Sequence, residues 1–248
     1  MSREFTVLPD VPAVAAATAD RLTAVGADAI RDRGRFVLAL SGGSTPLAVC
    51  PLLVVPPRVR MLDWSKVEFF FGDERSVPSR HPESNYNTAR EALLDHLPGI
   101  RTGQVHRMIG EADDLDAAAR AYEAQIARTL DVQPPAMPRF DLIWLGMGPD
   151  GHTASLFPGT AALQERSRWA VANWVPRLDT WRMTLTFPVL NAAREALFVV
   201  TGAEKAEALA AIRAGSAELP AGQVDAERTT WLVDAAAAGS GSPSGPGG

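Results

Sequence analysis

The chain has 248 residues, of which 46% are hydrophobic, enough to bury a sizeable core as one domain. A net charge of −5 and an isoelectric point of about 5.4 exclude a general attraction for nucleic acid or an anionic membrane. Any anionic ligand must therefore meet a local cationic pocket, and neither a nucleic-acid nor a membrane partner is expected. The single cysteine, Cys50, excludes an internal disulfide. No apolar run approaches membrane-spanning length and MSREFTVLPD lacks a secretory pattern, so a cytoplasmic protein is expected.

In chain order, Val14, Leu22, Val25 and Ile30 recur with helical spacing across Val11 to Asp32, and Phe36 to Leu40 reads as a short buried strand. Gly42-Gly43-Ser44-Thr45 then turns into a helix whose first turn holds Pro46, while Pro51 and the proline-rich Val54 to Arg60 predict that this helix is short. Val67 to Phe71 is the next strand; it stops at Gly72, which leaves Asp73, Glu74 and Arg75 at its C-terminal end. Helices are expected over Asn87 to Leu97 and the alanine-rich Leu115 to Leu130, followed by a strand at Leu142 to Leu145. Met183 to Phe187 alternates as a strand does, Leu197 to Thr201 is apolar, Glu204 to Arg213 is helical by spacing, and Trp231 to Val233 forms a last short strand.

This alternation predicts an α/β fold: an open, mostly parallel, Rossmann-like sheet with helices on both faces and ligands gathered at the strand C-termini. One domain is expected over residues 1–238, with 239–248, GSGSPSGPGG, as a disordered tail.

The chemistry concentrates in two glycine turns. Phe140 to Gly159 runs from an apolar strand through Gly146, Gly148 and Gly151, presenting Asp150, His152, Thr153 and Ser155 together. Glycines on either side of His152 place the ring at a turn, where it can take up a proton near neutral pH while Asp150 orients it. Ser41 to Thr45 offers consecutive backbone N–H groups before a helix, an arrangement that binds phosphate; it lacks the lysine of a Walker loop and the spaced glycines of a dinucleotide fingerprint. An unliganded tight turn is the plain alternative. Asp73 and Arg75 can serve proton handling and anion binding, or form an ordinary solvated charge run. Ser84 to Asn87 suits sugar hydroxyls or a helix cap, with Asn87 read as the cap. Arg182 and Lys205 supply further positive charge, whereas Arg177 and Lys66 read as solvated. His81, His96 and His106 read as surface or packing residues, and the four histidines and one cysteine show no metal-ligand spacing.

The ordered set SGGSTP, FFGDERSVP with HPESNYN, GMGPDGHTASLFPG, WRMTLTFPVLN and TGAEKAEAL, from about Phe36 to Asp234, resembles the 6-phosphogluconolactonases of the glucosamine-6-phosphate isomerase/6-phosphogluconolactonase family. The resemblance implies a fold like that of glucosamine-6-phosphate deaminase. It also implies hydrolysis of 6-phosphogluconolactone to 6-phosphogluconate in the pentose phosphate pathway, with neither metal nor organic cofactor. By the same likeness His152 is the general base, Asp150 holds it, and Asp73 sits near the sugar ring. Gly42, Gly43, Ser44, Thr45, Arg75, Arg182 and Lys205 hold the 6-phosphate. Amides of Gly148 to Gly151 are candidate oxyanion donors. The expected partner is a small sugar-phosphate lactone bound by a monomer or small homo-oligomer.

Two other readings stand beside this one. A sugar-phosphate isomerase or deaminase should end its glycine turn in an asparagine-glutamate pair, where this chain has Ser155-Leu156-Phe157. A sugar-phosphate sensor should carry a basic DNA-binding helix pair, and none is evident.

Overall fold

The computed structural model describes residues 2–43 and 45–239. Ser44 and residues 240–248, and with them nearly all of the expected tail, lie outside the described residues. Strand β1 (Ser2–Leu8) leads into α1 (Val11–Arg33), which is closed at both ends by its own sequence. The Asp10 carboxylate accepts from Ala13 N at 2.8 Å at the start. At the end Gly34, at a φ of 76°, takes up the left-handed conformation and donates to Ile30 O at 2.9 Å.

Strand β2 (Phe36–Leu40) is followed by α2 (Thr45–Leu53), a helix of 9 residues with Pro51 in its last turn, short as expected. Next come β3 (Val67–Phe71), β4 (Asp73–Arg75), α3 (Asn85–Ala92), α4 (Leu115–Leu130), β5 (Leu142–Leu145), β6 (Ala170–Val175) and β7 (Thr180–Leu185). The chain continues through α5 (Phe187–Ala192), β8 (Glu195–Val200), α6 (Ala206–Arg213) and β9 (Arg228–Asp234).

Several expected elements change. The helix expected over Asn87 to Leu97 starts earlier and stops at Ala92, because Ser84 caps it by accepting from Asn87 N at 3.2 Å. Ser84 is therefore the cap, and Asn87 lies inside the helix. The alternation that reached Phe187 ends at Leu185, since Pro188 favours the first turn of α5. Strands β1, β4 and β6 and helix α5 were not expected.

Six strands form one all-parallel sheet in the order β1-β9-β8-β5-β2-β3, and a second sheet, β4-β7-β6, is antiparallel. Side chains alternate across the large sheet. Leu38, Phe69, Trp144 and Leu197 face α1, α2 and α3, whereas Ala39, Phe70, Ile143 and Phe198 face α4, α5, α6 and the small sheet. From β2 the chain proceeds outward to β3, and from β5 it proceeds the other way to β8, so the order reverses between β2 and β5. A crevice opens at such a reversal, and both glycine turns leave their strands there. Among the described residues no helix is long and apolar enough to cross a membrane.

Cys50 lies in α2 at 2% exposure, and burial pushes its thiol up to about 12. A thiolate-specific reagent should leave the native protein unlabelled and modify one thiol per chain once denaturant is added. Rapid labelling without denaturant would show that α2 opens.

Candidate active site

The turn after β5 is built by its residue types. Pro149 and Gly151 occupy the second and fourth positions of a β-turn closed by Gly151 N donating to Gly148 O at 3.0 Å, and Gly148 N donates to His152 O at 2.9 Å. The Asp150 side chain then folds onto the next residues: its Oδ1 accepts from His152 N at 3.3 Å and from the ring Nδ1 at 2.5 Å. Gly148 is required here, because a Cβ at that position would run into the His152 ring and the Asp150 carboxylate. With Nδ1 donating to a carboxylate, the proton-accepting atom of the neutral ring is Nε2.

Asp150 is pulled in two directions. Burial raises its pKa, but the hydrogen bond and charge of His152 and the charge of Arg177 outweigh it and hold the carboxyl below its ordinary range.

A second carboxylate faces this pair. Asp73 is buried at the start of β4; its Oδ2 accepts from Ser155 Oγ at 2.6 Å and its Oδ1 from Asn85 Nδ2 at 3.1 Å. Neighbouring Glu74 points the other way and accepts from Arg75 N, Asn85 N, Tyr86 N and Ser84 Oγ at 2.7, 2.8, 2.9 and 3.0 Å. It thereby ties β4 to the start of α3. Asn85 also packs over Gly42, leaving no room for a Cβ there.

The cavity between the strand ends has a volume of about 230 Å³. Of the residues expected to meet a ligand, Gly42, Gly43, Thr45, Asp73, Arg75, His152 and Lys205 line it. Ser44 falls outside the described residues. Asp150 stands behind His152. Arg182 does not reach the wall: its guanidinium turns back to donate to Thr180 Oγ1 at 3.2 Å and Trp181 O at 3.1 Å, beside its cross-strand neighbour Arg75. Burial first, and then the Arg75 charge, lower the Arg182 pKa. Among the described residues neither arginine has an acidic partner within ion-pair distance, so an anion placed beside Arg75 relieves the repulsion between them. Lys205 lies in the turn after Gly202, whose N–H donates to Asp234 Oδ1 at 3.1 Å; its Nζ is 3.5 Å from Glu204 Oε1.

Two expectations are corrected. The amides of Gly148 and Gly151 are occupied inside the turn and Pro149 has none, which narrows the expected oxyanion donors of this turn to the Asp150 amide. Arg177, read as solvated, instead places Nη1 2.7 Å from Asp150 Oδ2 and lies over the Phe157 ring. No spacing in VPRLDTW signals that pairing. The roles of Asn85, Ser155 and Phe157 are likewise set by tertiary contacts, although all three belong to the motifs that carry the resemblance.

The family described as glucosamine-6-phosphate isomerases/6-phosphogluconolactonase matches residues 9–232. The chain belongs to this family. The 6-phosphogluconolactonase of Mycobacterium tuberculosis is 39% identical, over 96% of this chain and 98% of that protein. The Nostoc protein of the same name is 38% identical over the same shares, 96% and 98%. The structure titled 6-phosphogluconolactonase from Trypanosoma cruzi superposes with a TM-score of 0.84 at 31% identity, over 96% of this chain and 97% of that one. A monomeric glucosamine-6-phosphate deaminase, 23% identical with a TM-score of 0.76, covers 97% of this chain and 100% of its own, and shares the fold.

In this family member the tie made by Glu74 is open to test. Burial raises its pKa, opposed by the amides of Tyr86, Arg75 and Asn85 and reinforced by the Asp73 charge. A carboxyl whose folded pKa is raised contributes stability that is fully present below its unfolded value and lost as pH rises through the folded value. Glu74→Gln removes this titration and, by turning one carboxylate oxygen into an amide NH2, two of the four accepted hydrogen bonds, and should cost about 1–3 kcal/mol at neutral pH. Urea unfolding from the ordinary carboxylate range upward should show wild-type stability declining with pH relative to the variant. Parallel curves of equal height would contradict the assignment.

Proposed function

We infer that the protein hydrolyses 6-phospho-D-glucono-1,5-lactone to 6-phospho-D-gluconate, the second step of the oxidative pentose phosphate pathway. The observation that carries this reading is His152. Its Nδ1 is committed to Asp150 at 2.5 Å and its ring borders a cavity whose far side is a glycine turn flanked by Arg75 and Lys205. The names of the relatives support the substrate; the site chemistry supports the reaction.

In the mechanism we propose, a water molecule attacks the lactone carbonyl carbon while Nε2 of His152 takes its proton. Asp150 keeps the acceptor on Nε2 and stabilises the imidazolium that forms. The tetrahedral oxyanion collapses, the bond from the carbonyl carbon to the ring oxygen breaks, and the imidazolium returns a proton to that departing oxygen. Water is thereby added across the ester, leaving the acid and a free hydroxyl. The 6-phosphate rests on the amides of Gly42 and Gly43 and the start of α2 at Thr45, held by Arg75 and Lys205, with Arg182 contributing charge from behind. Asp73, its carboxylate fixed by Ser155 and Asn85, accepts from sugar hydroxyls. One domain performs the whole reaction in this reading, as a monomer or small homo-oligomer in the cytoplasm.

Freshly prepared lactone should disappear far faster with wild type than in buffer, and His152→Ala should lower the catalysed rate by about 10²–10⁴-fold. Wild type that merely matches buffer would overturn the reading. Ammonia release from glucosamine 6-phosphate would replace it with deamination.

Arg75→Gln should raise KM for the phosphorylated lactone by about ten- to a hundredfold, the loss of a charge-assisted hydrogen bond of roughly 1.5–3 kcal/mol. Its effect on unphosphorylated gluconolactone should be small. Equal losses on both substrates would remove Arg75 from the phosphate site.

A further inference from the structure

Four side chains close a ring of contacts around the Asp150 carboxylate. Asp150 Oδ1 takes the His152 Nδ1 hydrogen at 2.5 Å. Its Oδ2, shut off from solvent and accepting no hydrogen bond among the described residues, lies 2.7 Å from Arg177 Nη1. The Arg177 guanidinium sits 5.3 Å from the centre of the Phe157 ring, and Phe157 stacks on the His152 imidazole with centroids 4.0 Å apart and planes 23° apart. The circuit therefore returns to His152, fixing its ring through the hydrogen bond at one edge and through the stacked face.

Arg177 comes from the turn at Pro176–Leu178 that joins β6 to β7, an element distinct from the glycine turn it supports. Its side chain is 51% exposed, and an exposed ion pair by itself contributes little to stability. Its leverage is geometric. A carboxylate held only through Oδ1 is free to rotate about its side-chain bonds. Fixing Oδ2 as well sets the direction in which Oδ1 meets Nδ1, and with it the direction of the Nε2 lone pair.

We propose that Arg177 is a positioning residue for the His152–Asp150 pair, holding the second carboxylate oxygen and, through Phe157, the plane of the imidazole. It is not among the residues lining the cavity. The kinetic arm of the test rests on the lactone-hydrolysis reading; the spectroscopic arm does not.

Arg177→Met keeps an apolar chain over Phe157 and removes the charge; Arg177→Lys keeps a charge without the planar guanidinium. Turnover by Arg177→Met should fall about tenfold or more, the range seen when an outer partner of a working histidine is lost, with KM little changed. Arg177→Lys should recover part of that loss. The ring nitrogen-15 shifts of His152, assigned by their absence in His152→Ala, should report hydrogen on Nδ1 in the neutral wild type. In Arg177→Met they should move toward a mixture of tautomers. Wild-type turnover and wild-type ring shifts in Arg177→Met would overturn the proposal, as would a raised KM at unchanged turnover, which would make Arg177 a ligand-binding group. If wild type fails to outpace buffer, the hydrolysis reading falls and the ring shifts alone decide whether Arg177 positions His152.

Discussion

A parallel ladder needs a crossover between successive strands, so every strand of the large sheet ends at the same edge and passes its chain on from there. The reversal of order between β2 and β5 keeps their two following loops from being covered by a shared helix. The glycine turn that suits phosphate and the glycine turn that carries His152 are neighbours for that reason alone. The small antiparallel sheet then brings Asp73 and Arg75 to the same edge from the side. What distinguishes this chain is the set of side chains placed on an otherwise common scaffold.

The cavity is assembled against electrostatic cost. Arg75 and Arg182 stand side by side in register, and Asp73 and Glu74 are adjacent buried acids. The cost of the acids is offset locally. Glu74 collects three backbone amides and a hydroxyl; Asp73 takes a hydroxyl and a side-chain amide. Among the described residues the arginine pair has no acidic partner within ion-pair distance, so its mutual repulsion stands uncompensated.

Much of this was legible before any coordinates. Strands β2, β3, β5 and β8 are buried on both faces, so they read as unbroken apolar runs, and the glycines that follow them mark the edge where ligands gather. Strands β1 and β6 were not legible because they lie at the margins of their sheets, where polar residues are tolerated: no β1 side chain among the described residues is buried, and β6 mixes buried and exposed positions. Leu94 and Leu97 extend the helical spacing of α3 although the chain leaves the helix at Leu93, since their burial needs no continuous helix. At the site, His152 and Asp150 could be paired from their spacing of two residues, which a tight turn turns into a contact. The meeting of Asp150 with Arg177, or of Asp73 with Asn85 and Ser155, depends on elements far apart in the chain and leaves no periodic trace.

Among the described residues β1 has one ladder neighbour, β9, paired from Ser2 with Arg228 to Leu8 with Asp234. Strand β1 thus waits for β9, far later in the chain, before its ladder groups are satisfied. Asp234, at the end of β9, also fixes the Gly202 turn that carries Lys205. Synthesis proceeds from the N-terminus, and long-range parallel pairing is slow. The nascent chain therefore carries β1 unpaired until β9 has been made, and neither the large sheet nor the turn that holds Lys205 is complete before then.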